Sequence, residues 1–179
     1  MRVFIILIFT AFTTGALAQC PKNPAISEEL DEAYRSLKFA KFPRDAQVAT
    51  DVLWSLWTRA PDNRAQRLLN RGMMNLRLGD LAAAEGFLSV LIKYCPDYAE
   101  GYNQRAFARY LAGNFEGALP DLARALLILP RHLGALSGKG LTHLALGQPE
   151  LAEIEFRKEM ALNPFTADRD LIPNLGTDL

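Results

Sequence analysis

Between residues 112 and 130 the chain reads AGNFEGALPDLARALLILP, and its apolar positions Ala118, Leu122, Ala125, Leu126 and Leu129 step by 4, 3, 1 and 3. Those steps lay the side chains along one stripe of a helix with 3.6 residues per turn. Asn114 stands at the N-cap and Pro130 stops the helix. Nearly the same phrase precedes it as LGDLAAAEGFLSVLIKYCP at 78–96 and follows it as LGQPELAEIEFRKEMALNP at 146–164. In these copies Asp80 takes the N-cap position, and Pro149 takes the first helical position, where a missing N–H costs nothing.

The closing prolines Pro96, Pro130 and Pro164 are 34 apart twice, 130 minus 96 and 164 minus 130. Counting units from Ala65, Ala99 and Leu133, the eighth residue is Gly72, Ala106 or Gly140 and the fifteenth is Gly79, Gly113 or Gly147. The twentieth is always alanine (Ala84, Ala118, Ala152), and the twenty-fourth is large and apolar (Leu88, Leu122, Phe156). Small residues at two facing positions let two helices approach closely. The glycine ends the first helix in the left-handed conformation, and the large residue fills the space between units.

Period and pattern together resemble the tetratricopeptide repeat family. The resemblance implies an all-α fold, a right-handed solenoid of helical hairpins, over residues 30 to 164. Full units fall at 65–98, 99–132 and 133–166. Upstream, residues 30–63 look like a degenerate fourth unit, with a first helix from about Glu28 to Phe39, Ala49 and Leu53 in the small and large slots, and Trp54 and Trp57 on the second helix. The tryptophans read either as core or as a lip of a groove. At the far end Glu159 replaces the alanine of the preceding unit, Ala125, so the array is expected to end there. Residues 167–179 would then be a short cap and tail, started by Thr166 and stopped by Pro173. Pro120, about six residues into its helix, is expected to remove one backbone bond and kink it.

In this family the first helices line a concave groove at positions 2, 5, 9 and 12, which share one helix face. Carried over, the groove residues are Gln66, Leu69, Met73 and Leu76, then Glu100, Asn103, Phe107 and Tyr110, then Ser137, Leu141 and Leu144. An apolar floor with few polar contacts suits an apolar peptide or helix of another protein. The lysines with which some members grip a terminal carboxylate are absent, leaving only Asn70 and Asn103. Position 7 is basic in every unit (Arg71, Arg105, Lys139), which reads either as a row for an acidic partner or as stems laid over apolar surface. His143, where the family has tyrosine, reads as a packed aromatic, and His132 lies in the bend after Pro130.

Composition adds mainly exclusions. With 20 basic and 20 acidic residues and half the chain hydrophobic, no nucleic-acid or anionic-membrane partner is implied. Met1-Arg2, the apolar run from Val3 to Phe12 and the close Ala16-Leu17-Ala18 make 1–18 a secretory signal peptide, cut after Ala18, with no stable membrane anchor afterwards. Residues 19–29 form an N-terminal lead. Gln19 argues against a lipid on Cys20, because the residue before a lipidated cysteine is normally small. Export places Cys20 and Cys95 where a disulfide persists, so they either bridge or remain two separate thiols. No H-E-x-x-H, G-x-S-x-G, phosphate loop or zinc-ligand spacing occurs, so no catalytic residue, metal or cofactor is expected. The reading is a periplasmic or secreted adaptor that holds a protein or peptide partner. The alternatives are a self-assembling structural protein and an accessory subunit of an envelope-biogenesis complex.

Overall fold

The structure, a computed structural model, describes residues 20–21 and 26–172. The signal peptide expected at 1–18 and the tail from Pro173 lie outside the described residues. Eight α-helices follow one another: α1 Ile26–Lys38, α2 Pro43–Trp57, α3 Asn63–Leu78, α4 Leu81–Tyr94, α5 Ala99–Leu111, α6 Phe115–Ile128, α7 Leu133–Ala145 and α8 Pro149–Leu162. A 3₁₀ turn at Ala167–Leu171 closes the described chain.

Local chemistry sets these boundaries. Asp62, Asp80 and Asn114 accept hydrogen bonds from the backbone N–H three residues on, at 2.8, 3.0 and 3.0 Å, satisfying donors left over at helix starts. Gly79, Gly113 and Gly147 have φ of 77, 74 and 69°, where a side chain is strained, so each first helix turns sharply into the second. α6 runs through Pro120 as one helix. Pro120 is exposed, and the guanidinium of Arg109 donates to the Gly117 carbonyl at 2.9 Å, supporting the first turn beside it.

Packing within units follows from residue size. A Cβ on Gly72 would lie 2.6 Å from Cγ of Leu88, and one on Gly140 would lie 2.3 Å from Cε1 of Phe156. Leu88 and Phe156 are fully buried, so each glycine is the space its large partner fills. The hairpins α3–α4, α5–α6 and α7–α8 stack, with α4 on α5 and α6 on α7.

The first hairpin departs from the expected fourth unit. α1 and α2 pair, but α2 lacks the contact with α3 that α4 makes with α5. Leu30, Leu37, Leu53 and Trp57 instead share a core with Leu133 and with Leu129, Leu162 and Phe165. Those last residues lie in or beside the turns joining units. α1 therefore runs as a brace along that edge of the array, with Tyr34 donating to the Arg131 carbonyl and Arg131 paired with Asp31. Helical period alone does not specify which neighbour an apolar stripe meets. The groups that pair this one lie 97 and 100 residues away.

Candidate functional site

The first helices α3, α5 and α7 lie side by side, and between them opens a pocket of about 430 Å³. Met73, Leu76 and Arg77 come from α3, Phe107 and Tyr110 from α5, and Leu141 from α7. Asn103, Gln104 and Thr142 add polar atoms. The depression exists because α7 presents Gly134 and Gly138 where side chains would otherwise stand. Phe107 is 49% exposed, and the Tyr110 ring is held against Phe115 at 5.3 Å between centroids. The folded-back hairpin supplies the opposite lip: Trp54 of α2 lines the pocket and remains 43% exposed, while Trp57 is buried. The two tryptophans thus take the two roles open to them from sequence, one each.

Of the eleven groove residues expected from sequence, Met73, Leu76, Asn103, Phe107, Tyr110 and Leu141 line this pocket. The others do different work. Leu69 is fully buried in the core of the first full unit. Gln66 clamps the linker after α2, accepting from Ala60 N–H at 2.9 Å and donating to the Thr58 carbonyl at 3.1 Å. Ser137 donates to Asp168 of the closing turn. Leu144 packs in the terminal core with Phe156 and Ile172. Gln66, Ser137 and Leu144 thus face a linker or the closing cap, because the first hairpin and the 3₁₀ turn cover both ends of the groove, while Leu69 belongs to the core.

Glu100 is the largest departure. It is 1% exposed and accepts from Asn103 at 3.1 Å, Gln104 at 2.5 Å and His132 Nε2 at 2.8 Å. His132 caps α7: its Nδ1 accepts from Ala135 N–H at 3.3 Å, which assigns the ring proton to Nε2 and directs it at the carboxylate. Trp57 stacks on that imidazole at 4.2 Å and 18°, and Tyr98 donates to the Trp57 carbonyl at 2.6 Å. Burial, with Glu100 nearby, holds the Tyr98 phenol well above its ordinary pKa. The buried carboxylate is thus satisfied by three donors, which meets the condition for keeping a charge out of water. A residue read as a partner contact instead locks the wall of the groove and the end of α2.

The basic row pairs within its own units. Arg105 forms a two-pronged pair with Asp121 at 2.8 and 2.6 Å, Lys139 meets Glu155 at 2.9 Å, and Arg71 lies over the Phe87 ring at 5.5 Å. Arg109 joins Asp121 at 3.0 Å and Glu85 at 2.6 Å. His143 holds Gln148 at 2.8 Å. Cys20 and Cys95 form a disulfide with their Cα atoms 5.0 Å apart. At the far end, Glu159 is 5% exposed, accepts from Thr166 at 2.8 Å on one oxygen and, among the described residues, has no partner for the other. Burial raises its pKa to about 8. Among the described residues no cluster of three metal-ligating side chains forms, and no helix is long and apolar enough to cross a membrane.

No family model matches the chain. A TPR repeat-containing protein of Rhizobium etli is 28% identical over 142 residues, covering 79% of this chain and 69% of that protein. Tetratricopeptide repeat protein 36 of Bos taurus is 31% identical over 121 residues, 65% of this chain and 64% of its own length. Among solved structures, the Arabidopsis OM64 TPR domain superposes with a TM-score of 0.58 at 22% identity, over 60% of this chain and 89% of that domain. The first TPR of Spaghetti (RPAP3) bound to the HSP90 peptide SRMEEVD gives 0.59 at 20% identity, over 64% and 94%. Three stacked 34-residue hairpins, their glycine-ended first helices and these relatives lead to one conclusion: the chain is a tetratricopeptide repeat protein.

Proposed function

We propose that this protein is an exported, non-catalytic adaptor that holds a segment of a partner protein in its groove, with one large apolar side chain of that segment seated between Phe107, Leu141 and Trp54. The tetratricopeptide fold is that of a protein-interaction module, and the observation that carries the finer reading is the pocket itself. Its walls are apolar, its floor is opened by two glycines, and its volume of about 430 Å³ falls in the common range for ligand sites. The Spaghetti domain holding an HSP90 peptide supports a peptide occupant. The missing groove lysines favour an apolar anchor over a terminal carboxylate. Export, with the periplasm as destination, is supported by the order of residues 1–18 and by the disulfide, which suits an oxidising compartment.

A photo-crosslinking amino acid at Phe107, with exposed Ala123 as control, tests the reading in the native host. The expected result is a discrete heavier band from Phe107 alone, lost when Gly134→Leu fills the pocket. A band at twice the chain's mass would favour self-assembly, and no band from Phe107 would overturn the groove assignment. Fractionation of the same cells, with mass spectrometry of the mature terminus, tests export: a chain starting at Gln19 outside the cytoplasm is expected, and a retained Met1 would refute it.

A further inference from the structure

The turn joining α1 and α2 reads Lys38-Phe39-Ala40-Lys41-Phe42-Pro43-Arg44. Phe39 is 70% and Phe42 is 65% exposed, and Lys38, Lys41 and Arg44 are all exposed beside them. This is an ordered bend: Phe39 N–H donates to Arg35 O at 3.1 Å, Ala40 N–H donates to Leu37 O at 3.2 Å, and the Phe42 carbonyl accepts from Asp45 and Ala46 at 3.0 and 3.2 Å. Leu37 and Ala46, buried beneath it, tie the bend to the hairpin core, so both rings are held outward on a stiff support. Core packing explains neither ring.

Charge is equally one-sided. Of the four acids of α1, Glu29 pairs with Arg59, Asp31 with Arg131 and Glu32 with Arg35, and Glu28 stands in the first turn, at the opposite end of the helix from the tip. None of the three tip cations takes part in an ion pair among the described residues, and only Asp45 adjoins them in sequence. We infer that this turn is a docking point for an anionic lipid surface: Phe39 and Phe42 enter the boundary between headgroups and acyl chains while Lys38, Lys41 and Arg44 meet the headgroup phosphates.

Shape selects the lipid over a folded partner. Two rings on a convex bend bury little against a rigid surface but sink fully into a deformable apolar layer, where flanking cations keep their heads in water. Attraction to anionic headgroups adds for each cation and fades within a Debye length. With two rings and three cations the contact is reversible. It holds the groove near a membrane without anchoring the chain.

The test is co-sedimentation of the full chain, isolated from its native host, with vesicles of phosphatidylcholine alone and of phosphatidylcholine mixed with phosphatidylglycerol. Association with the mixed vesicles only, weakened by salt, is expected. Phe39→Ser with Phe42→Ser should lower the partition coefficient about tenfold or more, and Lys38→Glu with Lys41→Glu should abolish it. All four positions are exposed, so both variants should stay folded, which far-ultraviolet circular dichroism checks. No association of the parent chain, or equal association of the serine variant, would overturn the proposal. Binding of a single-stranded oligonucleotide through the same residues, without vesicle association, would reassign the tip to nucleic acid.

Discussion

Glycine acts in two opposite ways in this molecule, and single substitutions separate them. At Gly140 an added methyl carbon would collide with the fully buried Phe156 ring at 2.3 Å. At Gly134 the nearest side-chain atom is 3.5 Å away, an ordinary contact. Gly140→Ala is therefore expected to destabilise by about 1–3 kcal/mol through overpacking, whereas Gly134→Ala, in the first turn of α7, should change stability by less than about 0.5 kcal/mol. Urea unfolding of both variants reads the difference, and equal effects would contradict the packing account. Glu159 gives a second test at this scale. Folded, its pKa is raised by burial to about 8, whereas in the unfolded chain it ionises near the ordinary value of about 4.3. Across that window the folded chain keeps a proton that the unfolded chain releases, so Glu159 makes stability fall as pH rises from about 4 to about 8. Glu159→Gln should match the parent near pH 4 and exceed it near pH 8 by on the order of 2 kcal/mol or more. Parallel pH profiles would refute the assignment.

Among the elements, α2 depends most on contacts that its own sequence does not advertise. Trp57 stacks on His132, and His132 is held by Glu100. Removing the ring leaves a large cavity, and removing the imidazole leaves a buried carboxylate short of a donor. Trp57→Ala and His132→Ala are each expected to cost about 3–5 kcal/mol. The double variant should cost less than the sum, because both disrupt one contact. Full additivity in chemical unfolding would show that the stack couples nothing. The basic row teaches the converse lesson about legibility. Arg105 with Asp121 and Lys139 with Glu155 are both separated by 16 residues, the same two repeat positions, with Arg71 over Phe87 as the third instance. That register is present in the sequence, and its acidic half marks the row as internal pairing.

For the whole molecule, the disulfide and the brace work together. Cys20 sits just ahead of α1 and Cys95 ends α4, 75 residues apart, so the bond fixes one end of the brace to the first full unit while Tyr34 and Asp31 fasten it near Arg131. In the chain-entropy model a loop of that length stabilises by about 4 kcal/mol. Reduction, or Cys20→Ser with Cys95→Ser, should lower the denaturation midpoint and speed amide exchange in α1 and α2 ahead of α5 to α8. Uniform exchange across all helices would mean that the bond does not tether the hairpin. Because Trp54 reaches the pocket from α2, loosening the brace is also expected to weaken crosslinking from Phe107 without altering α5 itself.

The repeat is legible in the amino-acid order alone: its period, its caps, its small and large packing positions, and the helical hairpins that follow from them. These rest on interactions within 34 residues, where periodicity and turn chemistry fully specify the neighbour. The family resemblance pointed to Met73, Leu76, Phe107, Tyr110 and Leu141, which the structure places on the pocket wall. Where the first hairpin lies, that Trp54 lines the pocket and that Glu100 serves His132 emerge only in the folded chain. Those outcomes depend on groups 32 to 100 residues apart, such as Glu100 with His132 and Asp31 with Arg131. An amphipathic stripe states that a face must be buried; which distant surface covers it is set by shape and by the pairing of polar groups once the chain has folded.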